Sequence, residues 1–434
     1  MVDIPSLFVK AAGYYIISST IGRFVNILET PVEMRPNTWF VCSSIPGRMR
    51  RSTAITSVFK ILEVFYKEYT KHVWGNQKDG KDIFKRSIIE QGSAEGILDT
   101  IIDGQKNGVD CFHILSSEFG RTIREITSSS SRGYAKNTDT ILSKLYYGEG
   151  HVDNLSKRSD KESRYLEPGY YTTLFCAMQE PRIYLSDDLN RTINRQGLMR
   201  RIKWLYVKPS ELTMEGWKAP LRDLDEPTLY DELYDFTVNQ LLPHMIEYDR
   251  LYRVDGNRIA SMMNPQVKEF INNAARKVDA EIIETDEDSE EMDKLLFQQT
   301  HWEYQAKLSL LNGISCNLPS DYTKRKKIIP VSMEDLNRAN AFLNECDRNI
   351  VEIIGGLSIS SEERNYALQQ RKILRFISTH DNTTLRDIMQ NVKKHGGMSM
   401  KAEECRKYLA DLIGQGLVKE EKDVESEKYK YVPN

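Results

Sequence analysis

Four short runs constrain the fold of this chain more than anything else in it: residues 38–42 (TWFVC), 111–115 (CFHIL), 172–177 (TTLFCA) and 202–207 (IKWLYV). Each is near-continuously apolar and rich in aromatic or β-branched side chains, as expected of strands covered on both faces. The stretches between them carry helical periodicity. The clearest follows the first run, where Ile55, Val58, Phe59, Leu62 and Phe65 fall on one helical face. Strands alternating with helices predict βαβ units, a parallel sheet and an α/β fold class.

The rest of the chain is organised around that core, residues 31–215. Residues 1–30 predict an N-terminal helical segment through Ile4, Leu7, Phe8, Ala11, Tyr15 and Ile16. Pro209, Pro220 and Pro227 punctuate a linker, and 216–360 read as a mostly helical domain. Inside it, nine Asp and Glu crowd into 279–293 and predict a solvated, mobile segment. A second break at 318–330 carries Lys324 to Lys327, and a helix restarts at Ser332 with Asp335 in capping position. Residues 366–434 predict three amphipathic helices (368–379, 385–392, 399–413) and a hairpin (417–419 with 429–432), the winged-helix arrangement. Their expected core includes Leu368, Ile373, Phe376, Ile377, Leu417 and Val432.

Composition removes several function classes. With 40% hydrophobic and 28% charged residues, disorder throughout is excluded. A net charge of −3 leaves no global basic field, so a nucleic-acid site must be a local patch. Six scattered Cys without a CxxC pair argue against a disulfide framework or zinc site and predict a reducing, cytoplasmic setting. The apolar stretch 11–22 is 12 residues long between Lys10 and Arg23, short of the ~20 a membrane span needs. It also lacks the basic leader and cleavage site of a signal peptide.

The strand at 38–42 runs into a polar, Gly-bearing loop, cations and hydroxyls, and then the amphipathic helix. A phosphate-binding loop needs inward N–H groups, a cation, a hydroxyl for Mg²⁺ and a helix N-terminus aimed at the anion. Gly47, Arg50, Arg51, Ser52 and Thr53 are the candidate residues, with Ser52 the candidate Mg²⁺ ligand. Against the pattern GxxxxGK[ST], Ile45 and Arg50 replace the glycines and Arg51 replaces Lys. The plain alternative is a basic helix start. An ATPase of this kind needs an acidic residue at a buried strand tip, and Glu118 follows 111–115 there, with Ser117 where an Mg²⁺-ordering Asp is usual. Gln179 stands at the end of the next strand as a candidate sensor. Arg200 and Arg201 precede the fourth strand and are candidates to reach a phosphate in their own or a neighbouring subunit; otherwise they are a solvated basic pair.

These residues together resemble a family of P-loop proteins from mobile genetic elements and viruses with a RecA-like, replicative-helicase-type ATPase core. The matching stretches are Pro36-Asn37-Thr38-Trp39, Arg50-Arg51-Ser52-Thr53, Gly92-Ser93-Ala94-Glu95-Gly96, Ser117-Glu118-Phe119, Leu145-Tyr146-Tyr147-Gly148, Ala177-Met178-Gln179-Glu180-Pro181, Gly197-Leu198-Met199-Arg200-Arg201 and Asn337-Arg338-Ala339. The resemblance spans roughly residues 1–355 and rests on the ordered set, no single motif being specific. It implies a RecA-like core with a parallel sheet, ATP and Mg²⁺ as cofactors, and a role in replicating or maintaining DNA. A homo-oligomer such as a ring, or a partner ATPase, is the assembly it implies. The departures at Arg51 and Ser117 imply weak or absent hydrolysis, since a forked guanidinium does not replace a compact ammonium. The alternative is a non-enzymatic DNA-binding or regulatory subunit with a decayed nucleotide site.

Two regions could meet DNA. The stretch between the second and third strands holds Arg132, Lys136, Lys157, Arg158, Lys161 and Arg164 with Tyr134, Tyr146, Tyr147 and Tyr165 interspersed, and its alternative reading is a solvated loop. The last unit carries 13 Lys and Arg against 10 Asp and Glu, a net +3, with Lys401, Arg406 and Lys407 on its third helix. Glu403 and Glu404 beside them leave a protein-docking role open.

Overall fold

The computed structural model describes residues 4–30, 34–44, 51–75, 78–89, 94–127, 134–148, 166, 169–179, 197–207, 229–256, 258–285, 292, 295–296, 298–316, 328–357, 361–380, 383–392, 400–414, 417–422 and 429–433. They fall into two compact units, Met1–Leu357 and Ser358–Asn434. The stretches 1–30, 31–215 and 216–357 therefore lie within one unit.

In chain order the first unit's strands are β1 (Val25–Asn26), β2 (Trp39–Ser44), β3 (Ile88–Ile89), β4 (Cys111–Ser116), β5 (Tyr171–Gln179), β6 (Lys203–Val207), β7 (Ile259–Met263) and β8 (Ile328–Val331). Five of them form one sheet in the order β3-β4-β5-β2-β6, and every pairing in it is parallel. Strands β2 and β6 are buried at every residue, and β4 and β5 at all but their last, Ser116 and Gln179. That is why they read as continuous apolar runs. The helix Arg51–Trp74 begins shortly after β2 and buries Val58, Leu62 and Phe65 completely. The helix Ser6–Ile21 packs against β5, β2 and the helix His301–Cys316, with Phe8, Ala11, Tyr15 and Ile16 fully buried.

Three expectations need correction. Residues 1–30 are not helical throughout: after Ile21 the chain makes one turn of 3₁₀ helix and enters β1. The 216–360 stretch is not helical alone, because β7 and β8 join β1 in a second, three-stranded parallel sheet, order β1-β7-β8. The acidic run starts inside the helix Pro265–Glu284, which carries Asp279, Glu281 and Glu284; residues 286–291 lie outside the described residues. Among the described residues no helix is long and apolar enough to cross a membrane.

The second unit contains the helices Ser361–Thr379, Leu385–Asn391 and Ala402–Gly414, with β9 (Thr383–Thr384), β10 (Val418–Lys422) and β11 (Tyr429–Pro433). The strands form a small antiparallel sheet, order β10-β11-β9. Its core holds Ile373, Ile377, Ile388, Tyr408, Leu409 and Leu412. Leu417 is exposed and Val432 only half-buried; Val418 and Tyr431 turn inward instead. A one-residue offset on a strand swaps the faces, which is how the expected residues came out on the wrong side.

Candidate functional site

The carboxyl ends of β2, β4 and β5 form one rim of the five-stranded sheet. Ser44 of β2 stands in register with Gln179 of β5, and Ser116 of β4 with Cys176. Ser43 Oγ donates to the Gln179 carbonyl at 3.1 Å, tying the two strand ends together. Strand β2 is the switch point, because β5 and β6, consecutive in sequence, flank it on opposite sides. Ligands of open α/β sheets bind in the crevice beyond the carboxyl ends at such a point.

The rim collects part of the expected set. Gly47 and Arg50 lie outside the described residues. Ser52 and Thr53 are exposed in the first turn of the helix Arg51–Trp74, a turn without acidic residues. Arg51 is turned inward: its Nη1 donates to the Ser44 carbonyl at 3.0 Å and to that of Met178. The cation standing in the Lys position thus caps the ends of β2 and β5. Glu118 is exposed one residue before the helix Phe119–Thr127, its N–H donating to Ser116 Oγ at 3.1 Å. Gln179 is half-buried between the ends of β2 and β4.

Arg200 and Arg201 do not join this rim. They form the short helix before Lys203, and Lys203 pairs with Phe40 near the start of β2, so they sit at the amino edge. There Arg200 donates to Gln299 Oε1, and the Arg201 guanidinium lies 4.8 Å from the Tyr147 ring centroid. Arg132, Lys157, Arg158, Lys161 and Arg164 lie outside the described residues; Lys136 is on the helix Tyr134–Tyr147. Tyr146, expected beside them on a solvated or channel-facing stretch, is buried at the end of that helix and cannot stack on a strand of DNA there. In the second unit Lys401, Arg406 and Lys407 are all exposed, and Lys407 Nζ lies 5.3 Å from the Tyr366 ring centroid.

Two buried charges at the amino edge escaped the sequence reading. Glu303 and Lys307 are one turn apart on the helix His301–Cys316, and both are buried. Lys307 Nζ donates to Asn37 Oδ1 at 2.9 Å and sits 3.9 Å from the Tyr146 ring centroid; burial pushes its ammonium down to about 8. Tyr146 and Tyr147 hydroxyls donate to the Glu303 carboxylate at 3.2 and 3.5 Å. The signal was present: two opposite charges at i, i+4 spacing in a helix that carries no other Asp, Glu, Lys or Arg. Nearby, fully buried Lys203 lies 3.8 Å from Asp347 Oδ1, and His301 Nδ1 is 3.1 Å from Asp347 Oδ2. Burial opposes ionisation of Asp347, but Lys203 and then His301 hold it below the usual carboxylate range. Among the described residues no cluster of three or more His, Cys, Asp or Glu could hold a metal ion.

What these residues define is an α/β protein with two parallel sheets and a separate small antiparallel unit. Compared with known families and with curated proteins, the chain matches no family model and no curated protein.

Proposed function

We propose that this is a divergent P-loop, RecA-like ATP-binding protein that acts on DNA in replicating or maintaining a mobile element. One observation carries the reading: β2 and β4 are separated by β5 alone and end on one rim, with Ser44 and Gln179 in register. The helix start after β2, Glu118 after β4 and Gln179 at the end of β5, singled out from chain order, each follow or end a strand on this rim, which supports the reading. The exposed hydroxyls of Ser52 and Thr53 at a helix N-terminus without acidic neighbours fit a phosphate. Ser52 would hold Mg²⁺, Glu118 would orient water and Gln179 would sense the terminal phosphate. Mg²⁺, when bound, neutralises charge on the transferring phosphoryl group.

A second reading is favoured by Arg51. Its guanidinium is engaged by strand carbonyls, so the cation the chemistry needs is spent on capping the sheet. On this reading the chain binds nucleotide with little turnover and serves as a regulatory or DNA-binding subunit. The exposed Lys401, Arg406 and Lys407 and the antiparallel sheet of the second unit support a winged helix as the DNA contact, with a homo-oligomer or partner ATPase as the assembly.

ATP binding and phosphate release, measured with and without DNA, test both readings. Robust DNA-stimulated turnover favours the enzyme. ATP binding without turnover favours the regulatory subunit, and no ATP binding sinks the ATP-binding reading and leaves a DNA-binding subunit with a decayed nucleotide site. Deleting 358–434 is expected to weaken DNA binding and flatten its salt dependence by about 0.9 in log–log slope for each phosphate that is no longer neutralised. An unchanged slope would mean that the unit docks protein.

A further inference from the structure

The amino edge of the large sheet holds a cavity of its own. A cavity of about 260 Å³ opens between the ends of β2 and β5, the end of the helix Tyr134–Tyr147 and the helix His301–Cys316. Tyr147, Tyr171 and Trp302 contribute aromatic surface to its walls, while Glu303 and Lys307 give it a polar end. Arg35 also lines it, its guanidinium 5.8 Å from the Tyr171 ring centroid. Gly148 admits that guanidinium: its φ is +67°, and a Cβ there would come within 2.6 Å of Arg35 Nη2. Stretches that the rim does not use meet here, Asn37 from one, Tyr146 to Gly148 from another, and Trp302 to Lys307 from a third.

The chemistry of the walls selects a ligand. Flat aromatic surfaces bind a planar ring by stacking. Lys307 has three N–H donors, of which Asn37 takes one, and the Glu303 carboxylate accepts through two oxygens from two rather distant hydroxyls. A ring bearing both acceptors and donors on its edge matches that pair better than a hydrocarbon. Two cations in its lining, Arg35 and Lys307, outnumber the one carboxylate, which favours a ligand with a negative group. We propose that this cavity binds a nucleoside monophosphate unit, with its base against the aromatic walls and its phosphate toward the Arg35 guanidinium. The unit is either a free nucleotide or the terminal residue of a nucleic-acid strand. The proposal does not depend on the rim at Ser44 binding anything.

Calorimetric titration of the full chain with adenosine 5′-monophosphate, a 5′-phosphorylated single-stranded tetranucleotide and benzoate tests it. Saturable binding of the mononucleotide alone assigns a free nucleotide; binding of both nucleotide probes assigns a strand end. Tyr147→Ala, at a half-exposed position, is expected to weaken binding about tenfold by removing one stacking face. Lys307→Met is expected to weaken it further, and Ser52→Ala to leave it unchanged. The proposal is overturned if neither nucleotide binds, if benzoate binds as tightly, or if Ser52→Ala abolishes the heat. It is equally overturned if Tyr147→Ala, melting like the parent, binds with parental affinity.

Discussion

At the carboxyl edge of the five-stranded sheet the candidate side chains face outward: Ser52, Thr53 and Glu118 are exposed, and Gln179 is half-buried. At the amino edge, one strand length away, the charges lie inside: Lys203, Glu303 and Lys307 are all buried. An ion taken out of water costs several kcal/mol unless specific partners compensate it. Each of these three buried charges accordingly has such a partner, Lys203 with Asp347, Lys307 with Asn37, and Glu303 with two tyrosines. The carboxyl rim is instead held by backbone, through Ser43 onto the Gln179 carbonyl and Arg51 onto those of Ser44 and Met178. One edge leaves its candidate side chains exposed to solvent. The other fixes them in advance and shapes a cavity around them.

The largest effect is expected at the rim. If Glu118 orients the attacking water, Glu118→Gln lowers phosphate release by ~10²–10⁴ while ATP binding stays within a few-fold of the parent. Because Glu118 is exposed and its anchoring bond to Ser116 is made by the backbone, the substitution should not disturb the fold. A Glu118→Gln variant that turns over like the parent would strip the rim of its catalytic reading and leave it a binding surface.

Between the two edges lies His113, on β4, bonded to Tyr66 at 2.9 Å and Thr173 at 3.1 Å and fully buried. Burial, reinforced by Arg23, pushes its imidazole down to about 3 from 6.5. The unfolded chain therefore binds more protons between these values, and stability is present above 6.5 and lost as pH falls toward 3. The loss is on the order of 4 kcal/mol. Denaturant unfolding from pH 3 to 7 should show that limb, and His113→Gln should flatten it. An acid limb unchanged by the substitution would place the sensitivity elsewhere.

Lys307 sharpens the comparison from the alkaline side. Its ammonium is depressed to about 8 from 10.5, again by burial, so the unfolded chain holds more protons across that window and stability rises with pH through it. Buried Tyr and Cys, pushed upward by burial, work in the opposite direction, so the quantity to measure is the difference between parent and Lys307→Met. The advantage of the Met variant over the parent is expected to shrink as pH rises, by on the order of 3 kcal/mol in total. No pH dependence in the difference would mean that Lys307 is solvated, and the amino edge would lose its contrast with the rim.

What was legible in the sequence follows from the same contrast. Strands covered on both faces announce themselves as unbroken apolar runs, and four of the five in the large sheet did so. β3, with two residues, is too short to carry a pattern. The second sheet was hidden for three separate reasons. β1 also has two residues, β7 reads IASMM with its exposed Met262 no less apolar than its buried neighbours, and β8 contains Pro330. Proline reads as a break, but β8 is an edge strand, where a missing N–H is tolerated. At the rim, the positions of the candidate residues were legible in chain order because they sit at or just beyond strand ends. The cavity was illegible because its walls come from segments as far apart as Asn37 and Lys307, and no local pattern brings them together.

The smallest effect tests whether the two compact units melt separately. Ser332, read in the sequence as a cap, accepts from the Asp335 N–H at 3.3 Å, while Asp335 Oδ2 accepts from the Ser332 N–H at 2.8 Å at the start of the helix Met333–Leu357. Thr384 and Asp387 build the same reciprocal box on Leu385–Asn391 in the second unit. Periodicity alone starts that helix at Leu385 without revealing its cap. Each box satisfies two N–H groups that a helix start otherwise leaves bare, and replacing the cap by Ala typically costs ~1 kcal/mol. If Met1–Leu357 and Ser358–Asn434 unfold as separate cooperative bodies, Ser332→Ala lowers only the first unit's transition and Thr384→Ala only the second's. The smaller unit should show the larger shift in midpoint, because the same free energy is divided by a smaller unfolding entropy. Differential scanning calorimetry of the two variants decides it. A single transition moved equally by both would show that the units fold as one.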